Sequence, residues 1–173
     1  LGTIARKAFG NGDGPARRFL NIKGYGPDDD VWCREVFTGG MSNYSRVAMT
    51  LGLPKDASVR DLVLATRHYM QLRTPPVEVA NGKVKQNIHR GDDIDLNKIT
   101  VPRWHREDGG RYINTYQATV TMDPDTGVHN LGIYRGMIGQ KDTLPVLLWR
   151  AQNWGVHFQK WEERGQKMPV AHV

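Results

Sequence analysis

Alternating apolar and polar residues in the segment 114–138 predict two strands joined by a turn. In the first run the apolar side chains recur at every second position, which is typical of a half-buried strand: Tyr116, Ala118, Val120 and Met122. The segment Asp-Pro-Asp-Thr-Gly at 123–127 carries residues that favour a turn. The predicted return strand, 128–137, places Asn130 and Arg135 among apolar residues. A strand of this kind is either an edge facing water or a binding site.

The sequence predicts three helices. Two of them begin after capping residues, and the third is indicated by its apolar residues. Ser42 precedes a run from 44 to 51, and Gly52 ends it. Ser58 and Asp61 have the spacing of a capping box and predict a helix that ends near Leu72. The expected buried stripe of that helix is Leu62, Ala65, Tyr69 and Leu72. A third helix is predicted at 155–164, with Phe158 and Trp161 packed.

Further strands are predicted around these helices. The dipeptide Asn81-Gly82 lies between two alternating runs, 76–80 and 83–88, and predicts a β-hairpin. Short strands are also expected at 19–22, 144–149 and 169–173. Helices and strands in this mixture predict an α/β (α+β) protein. The loop 100–113 is expected to join a first α/β module to a second one that opens with the central strand pair.

Composition narrows the class of protein. The chain has 173 residues, 39% of them hydrophobic, and no apolar run approaches the roughly 20 residues of a membrane span. A single cysteine, Cys33, excludes an internal disulfide and suits a reducing compartment, so we expect a cytoplasmic protein. The first residue is Leu rather than Met, so the sequence is expected to begin inside a longer protein.

The basic residues do not form a tract. The net charge is +6, but the bases are scattered along the chain, so a nucleic-acid-binding module is not favoured. A solubility effect and attraction for a phosphate-bearing small molecule both remain open. The acidic segments 28–30 and 92–95 are expected to be turns, because neither has the spacing of a metal loop.

Three segments carry distinctive motifs, in this order: Gly-Val-His-Asn-Leu-Gly-Ile-Tyr-Arg-Gly at 127–136, Gln-Asn-Trp-Gly at 152–155 and Glu-Arg-Gly-Gln-Lys-Met-Pro-Val-Ala at 163–171. Taken together, they resemble the UbiD family of prenylated-FMN-dependent carboxy-lyases. Weaker likenesses lie at 42–54, 91–96 and 108–113, so the resemblance extends from about Pro15 to Val173.

The resemblance implies two incomplete domains. Residues 1–111 would form the family's N-terminal α/β domain, truncated at its start. Residues 112–173 would form the first part of a prenyl-FMN-binding split β-barrel of the flavin-reductase type. The family's third metal ligand and its catalytic acid would lie beyond Val173. The chain is therefore expected to be a fragment that is inactive alone.

The resemblance also implies a cofactor site. Asn130 and Asn153 would ligate Mn²⁺ (or Mg²⁺), with K⁺ as a further ion. The residues expected to contact prenylated FMN are Asn130, Ile133, Tyr134, Arg135, Gln152 and Asn153. Arg135 would also be catalytic, because a planar and permanently charged guanidinium can orient a substrate carboxylate.

Asn153 departs from the family pattern, because several members carry His at that place. His157 is a possible substitute ligand, but on helical spacing we expect it to face elsewhere. Trp149 and Trp154 either wall the flavin site or belong to the core. Arg150 faces either the cofactor phosphate or solvent.

The function implied by the resemblance is reversible, prenylated-FMN-dependent decarboxylation. The substrate would be an aromatic (phenolic or heteroaromatic) or α,β-unsaturated carboxylic acid, and the second product CO₂. The alternative is a non-catalytic cofactor-binding or assembly subunit of a multi-subunit carboxylase. The resemblance implies a homo-oligomer (dimer or hexamer) or a hetero-oligomer with related subunits, without nucleic acid and without a membrane span.

Overall fold

The chain folds as two compact units. The computed structural model describes residues 2–9, 14–25, 28–72 and 74–173. One unit comprises Leu1–Lys23 and Arg34–Ile88, and the other comprises Gly24–Cys33 and His89–Val173. Both contain helical and strand segments, so the predicted mixed α/β class is confirmed. The junction at 88–89 differs from the predicted domain boundary at 111–112, which stays a prediction.

Within the described residues the chain forms four α-helices and seven short β-strands. The helices are α1 (Gly2–Phe9), α2 (Tyr44–Thr50), α3 (Val59–Gln71) and α4 (Asn153–Glu163). The strands are β1 (Arg17–Phe19), β2 (Val36–Thr38), β3 (Tyr112–Asn114), β4 (Thr119–Met122), β5 (His129–Gly132), β6 (Gly136–Met137) and β7 (Val170–His172). Single 3₁₀ turns occupy Lys83–Lys85, Gly91–Asp93 and Leu96–Lys98. None of the helices in the described ranges has the length and apolar character of a membrane span.

The first unit contains the predicted capping box. The Ser58 hydroxyl accepts a hydrogen bond from the Asp61 amide at 3.2 Å, and the Asp61 carboxylate accepts one from the Ser58 amide at 3.1 Å. The expected stripe is only partly buried, because Leu62 is enclosed while Tyr69 and Leu72 are about half exposed. At α2 the capping side chain is Asn43 rather than Ser42.

Two strand predictions in this unit need correction. The predicted strand at 19–22 lies earlier, because β1 ends at Phe19, where it pairs antiparallel with Val36 of β2. The predicted hairpin at 76–88 is wrong: the segment forms no strand and its regular structure is limited to the 3₁₀ turn Lys83–Lys85. Its apolar side chains stay in solvent, with Val84 90% exposed, and an isolated hairpin without a packed face is marginal in water.

A three-stranded antiparallel sheet, in the order β5-β4-β7, is the centre of the second unit. The predicted strand pair is confirmed as β4 and β5, with Thr121 opposite Asn130. The predicted terminal strand is present as β7, paired with β4. The return strand is shorter than predicted, because β5 ends at Gly132 and residues 136–137 pair with β3 instead.

The buried face of β4 is the polar one, contrary to expectation. Thr119 and Thr121 are 0% and 1% exposed, whereas Tyr116, outside the strand, is 79% exposed. Helix α4 packs against β4 and β5 and buries Trp154 and His157. The threonines can be buried there because their hydroxyls find hydrogen-bond partners on that side. The predicted strand at 144–149 is wrong, since it makes only an isolated bridge, between Val146 and Gly136.

The turn at 123–127 is attached to the far end of α4. Lys160 Nζ lies 2.6 Å from Asp123 Oδ2 and 3.0 Å from Asp125 Oδ2, and Arg164 also pairs with Asp125. The hydrogen bond from Lys160 lowers the pKa of Asp123 below its ordinary value of 3.8, and Asp123 in turn raises the pKa of Lys160. Gly127 closes the turn with φ of 71°, a conformation that favours glycine.

Candidate functional site

The structure brings the two predicted metal ligands together. Asn130 lies in the middle of β5 and Asn153 is the first residue of α4. Asn153 Nδ2 donates a hydrogen bond of 3.1 Å to Asn130 Oδ1, and Asn130 Nδ2 donates one of 3.2 Å to the Tyr134 hydroxyl. The pair therefore forms one polar group at the junction of the helix and the sheet.

The donor set suits a hard divalent ion only if further ligands are added. Amide oxygens are neutral, hard ligands of the kind that Mn²⁺ and Mg²⁺ accept. A half-turn of the Asn153 amide would place its oxygen beside that of Asn130. Within the described ranges, no group of three or more His, Cys, Asp or Glu side chains is arranged to hold an ion. The pair consequently fits an ion that an anionic group, such as a phosphate, also ligates.

Four of the predicted cofactor-contact residues line one cleft. The cleft has a volume of about 290 Å³. Its lining combines apolar, aromatic and charged side chains from two segments of the second unit: Ile133, Tyr134, Arg135, Leu147, Trp149 and Gln152. Arg135 is exposed, and its guanidinium lies 5.8 Å from the centre of the Tyr112 ring, a cation–π contact. Such a cleft can accept a flat, anionic molecule.

The orientation of Tyr134 is fixed by contacts that were not predicted from the sequence. Its ring stacks on Trp154 with centroids 4.0 Å apart and planes parallel, and Trp154 is 2% exposed. Its carbonyl accepts a hydrogen bond of 2.6 Å from Gln117 Nε2. A Cβ at Gly132 would lie 2.5 Å from the Tyr134 ring, so only glycine leaves room for it. The stack places the Tyr134 hydroxyl against Asn130.

The burial of the two tryptophans shows which of them belongs to the core and which lines the cleft. Trp154 belongs to the core, whereas Trp149 is 59% exposed and lines the cleft. Arg150 faces solvent and reaches Glu162 of α4 at 3.5 Å. The backbone N–H of Gln152 donates a hydrogen bond of 3.0 Å to the Trp149 carbonyl, which closes a tight turn before the helix. This turn directs Trp149 and Gln152 toward the same cleft.

Behind the asparagine pair lies a buried polar contact. His157 is 8% exposed, and its Nδ1 shares a hydrogen bond of 3.0 Å with Thr121 Oγ1. Residues four apart share one face of a helix, so His157 lies on the same side of α4 as Asn153. Its ring is directed at Thr121 of β4, and the expectation that His157 does not replace Asn153 as a metal ligand stays a prediction. Since Nδ1 is engaged with Thr121, the ring supports the sheet rather than Asn130.

His172, on β7, makes a similar contact on the neighbouring strand. Its Nδ1 lies 3.0 Å from Thr119 Oγ1 and 3.1 Å from Asn114 Nδ2. Partial desolvation of the His172 ring, on a strand whose residues are otherwise exposed, lowers its pKa below the ordinary value of 6.5 and favours the neutral form at pH 7. A neutral ring can accept a hydrogen bond from the buried threonine or the asparagine amide.

Comparison with known families finds matches over both parts of the chain. Residues 1–66 match the UbiD_N profile, described as the 3-octaprenyl-4-hydroxybenzoate carboxy-lyase N-terminal domain. Residues 76–173 match the UbiD profile, described as the 3-octaprenyl-4-hydroxybenzoate carboxy-lyase Rift-related domain. The second match includes every residue of the asparagine pair and the cleft.

Named relatives and solved structures agree with these matches. The pyrrole-2-carboxylic acid decarboxylase of Pseudomonas aeruginosa is 32% identical over 129 residues, or 74% of this chain and 26% of that protein. The closed form of the vanillic acid decarboxylase of Sedimentibacter hydroxybenzoicus aligns with a TM-score of 0.77 and 28% identity, covering 92% of this chain and 33% of that one. An evolved dimeric form of the UbiD-class enzyme HmfF from Pelotomaculum thermopropionicum, in complex with prFMN, aligns with a TM-score of 0.62 and 28% identity over 80% of this chain and 32% of that one. The chain thus spans about a quarter to a third of these relatives' length.

Proposed function

Because the chain belongs to the UbiD family of carboxy-lyases, we propose that it acts in the reversible decarboxylation of an aromatic or α,β-unsaturated carboxylic acid, with prenylated FMN as cofactor. Two relatives are named for aromatic acids, pyrrole-2-carboxylic acid and vanillic acid. A third was solved with prFMN. These names support the substrate class and the cofactor.

The observation that carries the proposal is the convergence of separate segments on one place. Asn130 of β5 meets Asn153 of α4, and the residues between β5 and β6 form a cleft with the turn before α4. All of these residues lie after position 112, within the part of the chain that was expected to bind the cofactor. A phosphate-bearing flavin needs both features, a polar anchor for its phosphate and a cleft for its ring system.

Each side chain then has a defined task. Asn130 and Asn153 would hold Mn²⁺ (or Mg²⁺), which in turn would bind the cofactor phosphate. The electron-accepting chemistry of the reaction comes from bound prenylated FMN. Arg135 would bind and orient the substrate carboxylate, and its contact with Tyr112 limits the directions in which the guanidinium can point. Trp149 would give the cleft a flat apolar wall against which an aromatic ring can lie.

Two substitutions test the proposal. Asn130→Ala should lose Mn²⁺ and flavin together, because the metal and the phosphate depend on each other. Arg135→Ala should retain flavin but lose at least about 100-fold in the rate of CO₂ release, since the substrate is no longer oriented. Flavin absorbance after purification and CO₂ release from a panel of aromatic acids, by the chain in its full-length protein, are the measurements.

Arg150→Ala is the matched control, because Arg150 lies near the cleft but faces solvent. It should leave both flavin content and CO₂ release unchanged. Normal flavin content in Asn130→Ala, together with normal turnover in Arg135→Ala, would show that the site lies elsewhere.

A further inference from the structure

Two contacts between α4 and the sheet lie side by side. Asn153 and His157 are one helical turn apart on α4. Their partners, Asn130 and Thr121, are direct cross-strand neighbours on β5 and β4. The Asn153–Asn130 contact is at the surface, and the His157–Thr121 contact is buried. Helix and sheet are therefore joined by two adjacent polar contacts.

The spacings of the two elements match. Four residues of an α-helix rise about 6 Å, at 1.5 Å per residue. Neighbouring strands lie about 5 Å apart in the hydrogen-bonding direction. When one contact is formed, the other is consequently within reach without distortion of the helix. The buried contact between His157 and Thr121 therefore determines the position of the exposed contact between Asn153 and Asn130.

The start of α4 needs such an anchor. Its N-cap residue, Gln152, makes no side-chain capping hydrogen bond within the described structure, and uncapped first turns fray. The side-chain oxygen of Gln152, Oε1, instead accepts a hydrogen bond of 3.0 Å from Trp154 Nε1. Asn153 is exposed at the first helical residue, so its position depends on contacts made further along the helix.

A buried polar pair is also an unusual choice for simple packing. Thr121 is 1% exposed and His157 is 8% exposed, and burying two polar groups is unfavourable unless each satisfies the other. An apolar pair of similar shape would fill the same space at no such cost. What the hydrogen bond adds is direction, because its geometry permits only a narrow range of helix positions.

We propose that Thr121 and His157 are positioning residues that set the separation of Asn130 and Asn153, and through it the affinity of the site for a divalent metal. The metal part of this inference rests on the proposed function. The positional part, that the buried hydrogen bond holds the Asn153 side chain against Asn130, is independent of it.

The test compares two substitutions at position 121 that separate the hydroxyl of the side chain from its branched shape. Thr121→Val keeps the branched shape and removes the hydroxyl, and Thr121→Ser keeps the hydroxyl. Mn²⁺ is titrated into the FMN-loaded chain and followed by electron paramagnetic resonance. Thr121→Val should weaken Mn²⁺ binding about 10- to 100-fold, the usual effect of losing a group that orients a ligand. Thr121→Ser should bind like the wild type.

A second readout does not depend on metal. The Asn153 side-chain NH₂ resonances, assigned with an Asn153→Ala spectrum, should move toward solvent-exposed values in Thr121→Val and stay in place in Thr121→Ser. His157→Asn, which keeps an amide near the place of Nδ1, should retain more Mn²⁺ affinity than His157→Leu. A purely structural role would lower the melting temperature while leaving these readouts unchanged.

The outcomes separate the two claims. If Asn130→Ala abolishes Mn²⁺ binding but Thr121→Val leaves both the affinity and the Asn153 resonances unchanged, the positioning role is refuted and the proposed function stands. If Asn130→Ala binds Mn²⁺ normally, the proposed metal site and its control by Thr121 and His157 are refuted. In that case the Asn153 resonances alone decide the positional claim: a shift in Thr121→Val upholds it, and no shift overturns it.

Discussion

Gly155 is the position where one added methyl group should be most damaging. A Cβ built there would lie 1.9 Å from the carbonyl oxygen of Trp149 and 2.7 Å from Cα of Arg150. Real Cβ contacts are essentially never shorter than 3.0 Å, so the backbones must separate by about 1 Å. Both colliding groups are main chain, and no rotamer change can relieve the overlap. We therefore expect Gly155→Ala to move the 149–152 turn off the helix.

The magnitude follows from two opposing effects. Alanine in place of glycine stabilises a helix interior by about 1 kcal/mol. Overpacking a tight contact costs about 1 to 3 kcal/mol, and more when backbone must move. Here the collision is with backbone, so the net loss should be about 1 to 3 kcal/mol. The displaced turn carries Trp149 and Gln152, so the cleft should also lose flavin affinity.

The assay is urea unfolding followed by tryptophan fluorescence, together with FMN titration of the folded variant. Val156→Ala is the control, because Val156 is the next residue of the same helix and is 43% exposed. Its free energy of unfolding should change by no more than about 0.5 kcal/mol. A Gly155→Ala protein about 1 kcal/mol more stable than the wild type, with unchanged FMN binding, would refute the close approach of the turn to α4.

Two further predictions concern stability. The pKa of Asp123 is lowered by Lys160, so its contribution is complete above about pH 4 and is lost as the pH falls through the lowered pKa. The melting temperature of Asp123→Asn should therefore fall less than that of the wild type when the pH is lowered from 7 to 3. Equal falls in the two proteins would contradict the pairing. Ser58→Ala should lower the free energy of unfolding by about 1 kcal/mol through loss of the α3 cap. Ser58→Thr keeps the hydroxyl, so its free energy of unfolding should fall clearly less in the same urea titration. Equal decreases in the two variants would contradict a capping role of Ser58.

Local signals in the sequence predicted local structure well. The capping box at Ser58 and Asp61 and the turn at 123–127 depend on residues within five positions of each other, and both are present. The hairpin at Asn81-Gly82 failed because its turn signal was not supported by packing on either side. A turn dipeptide determines which hairpin can form, but burial of one face determines whether it forms.

The orientation of β4 was not predictable from alternation alone. The pattern shows that two faces differ, but not which of them another element covers. Helix α4 supplies His157 as a partner for Thr121, and that contact lies 36 residues away in sequence. Long-range hydrogen bonding thus reversed the expectation that the apolar positions face the core.

The candidate site was predicted in composition but not in geometry. The resemblance identified Asn130, Arg135 and Asn153, and the structure brings the two asparagines within hydrogen-bond distance. It did not identify the Tyr134–Trp154 stack or assign the two tryptophans to core and cleft, because each depends on how the turn before α4 packs. Motif residues predict which groups a site uses, and tertiary packing determines what supports them.

The attachment of the 123–127 turn to α4 has a practical consequence for protein engineering. Exposed hairpin turns are ordinarily good places to insert an epitope tag or to open new chain termini. Here Asp123 and Asp125 bind Lys160 and Arg164, so an inserted tag would break the ion pairs that join the turn to the end of α4. The segment 77–85 offers a safer insertion point, because its side chains are exposed and it belongs to no sheet.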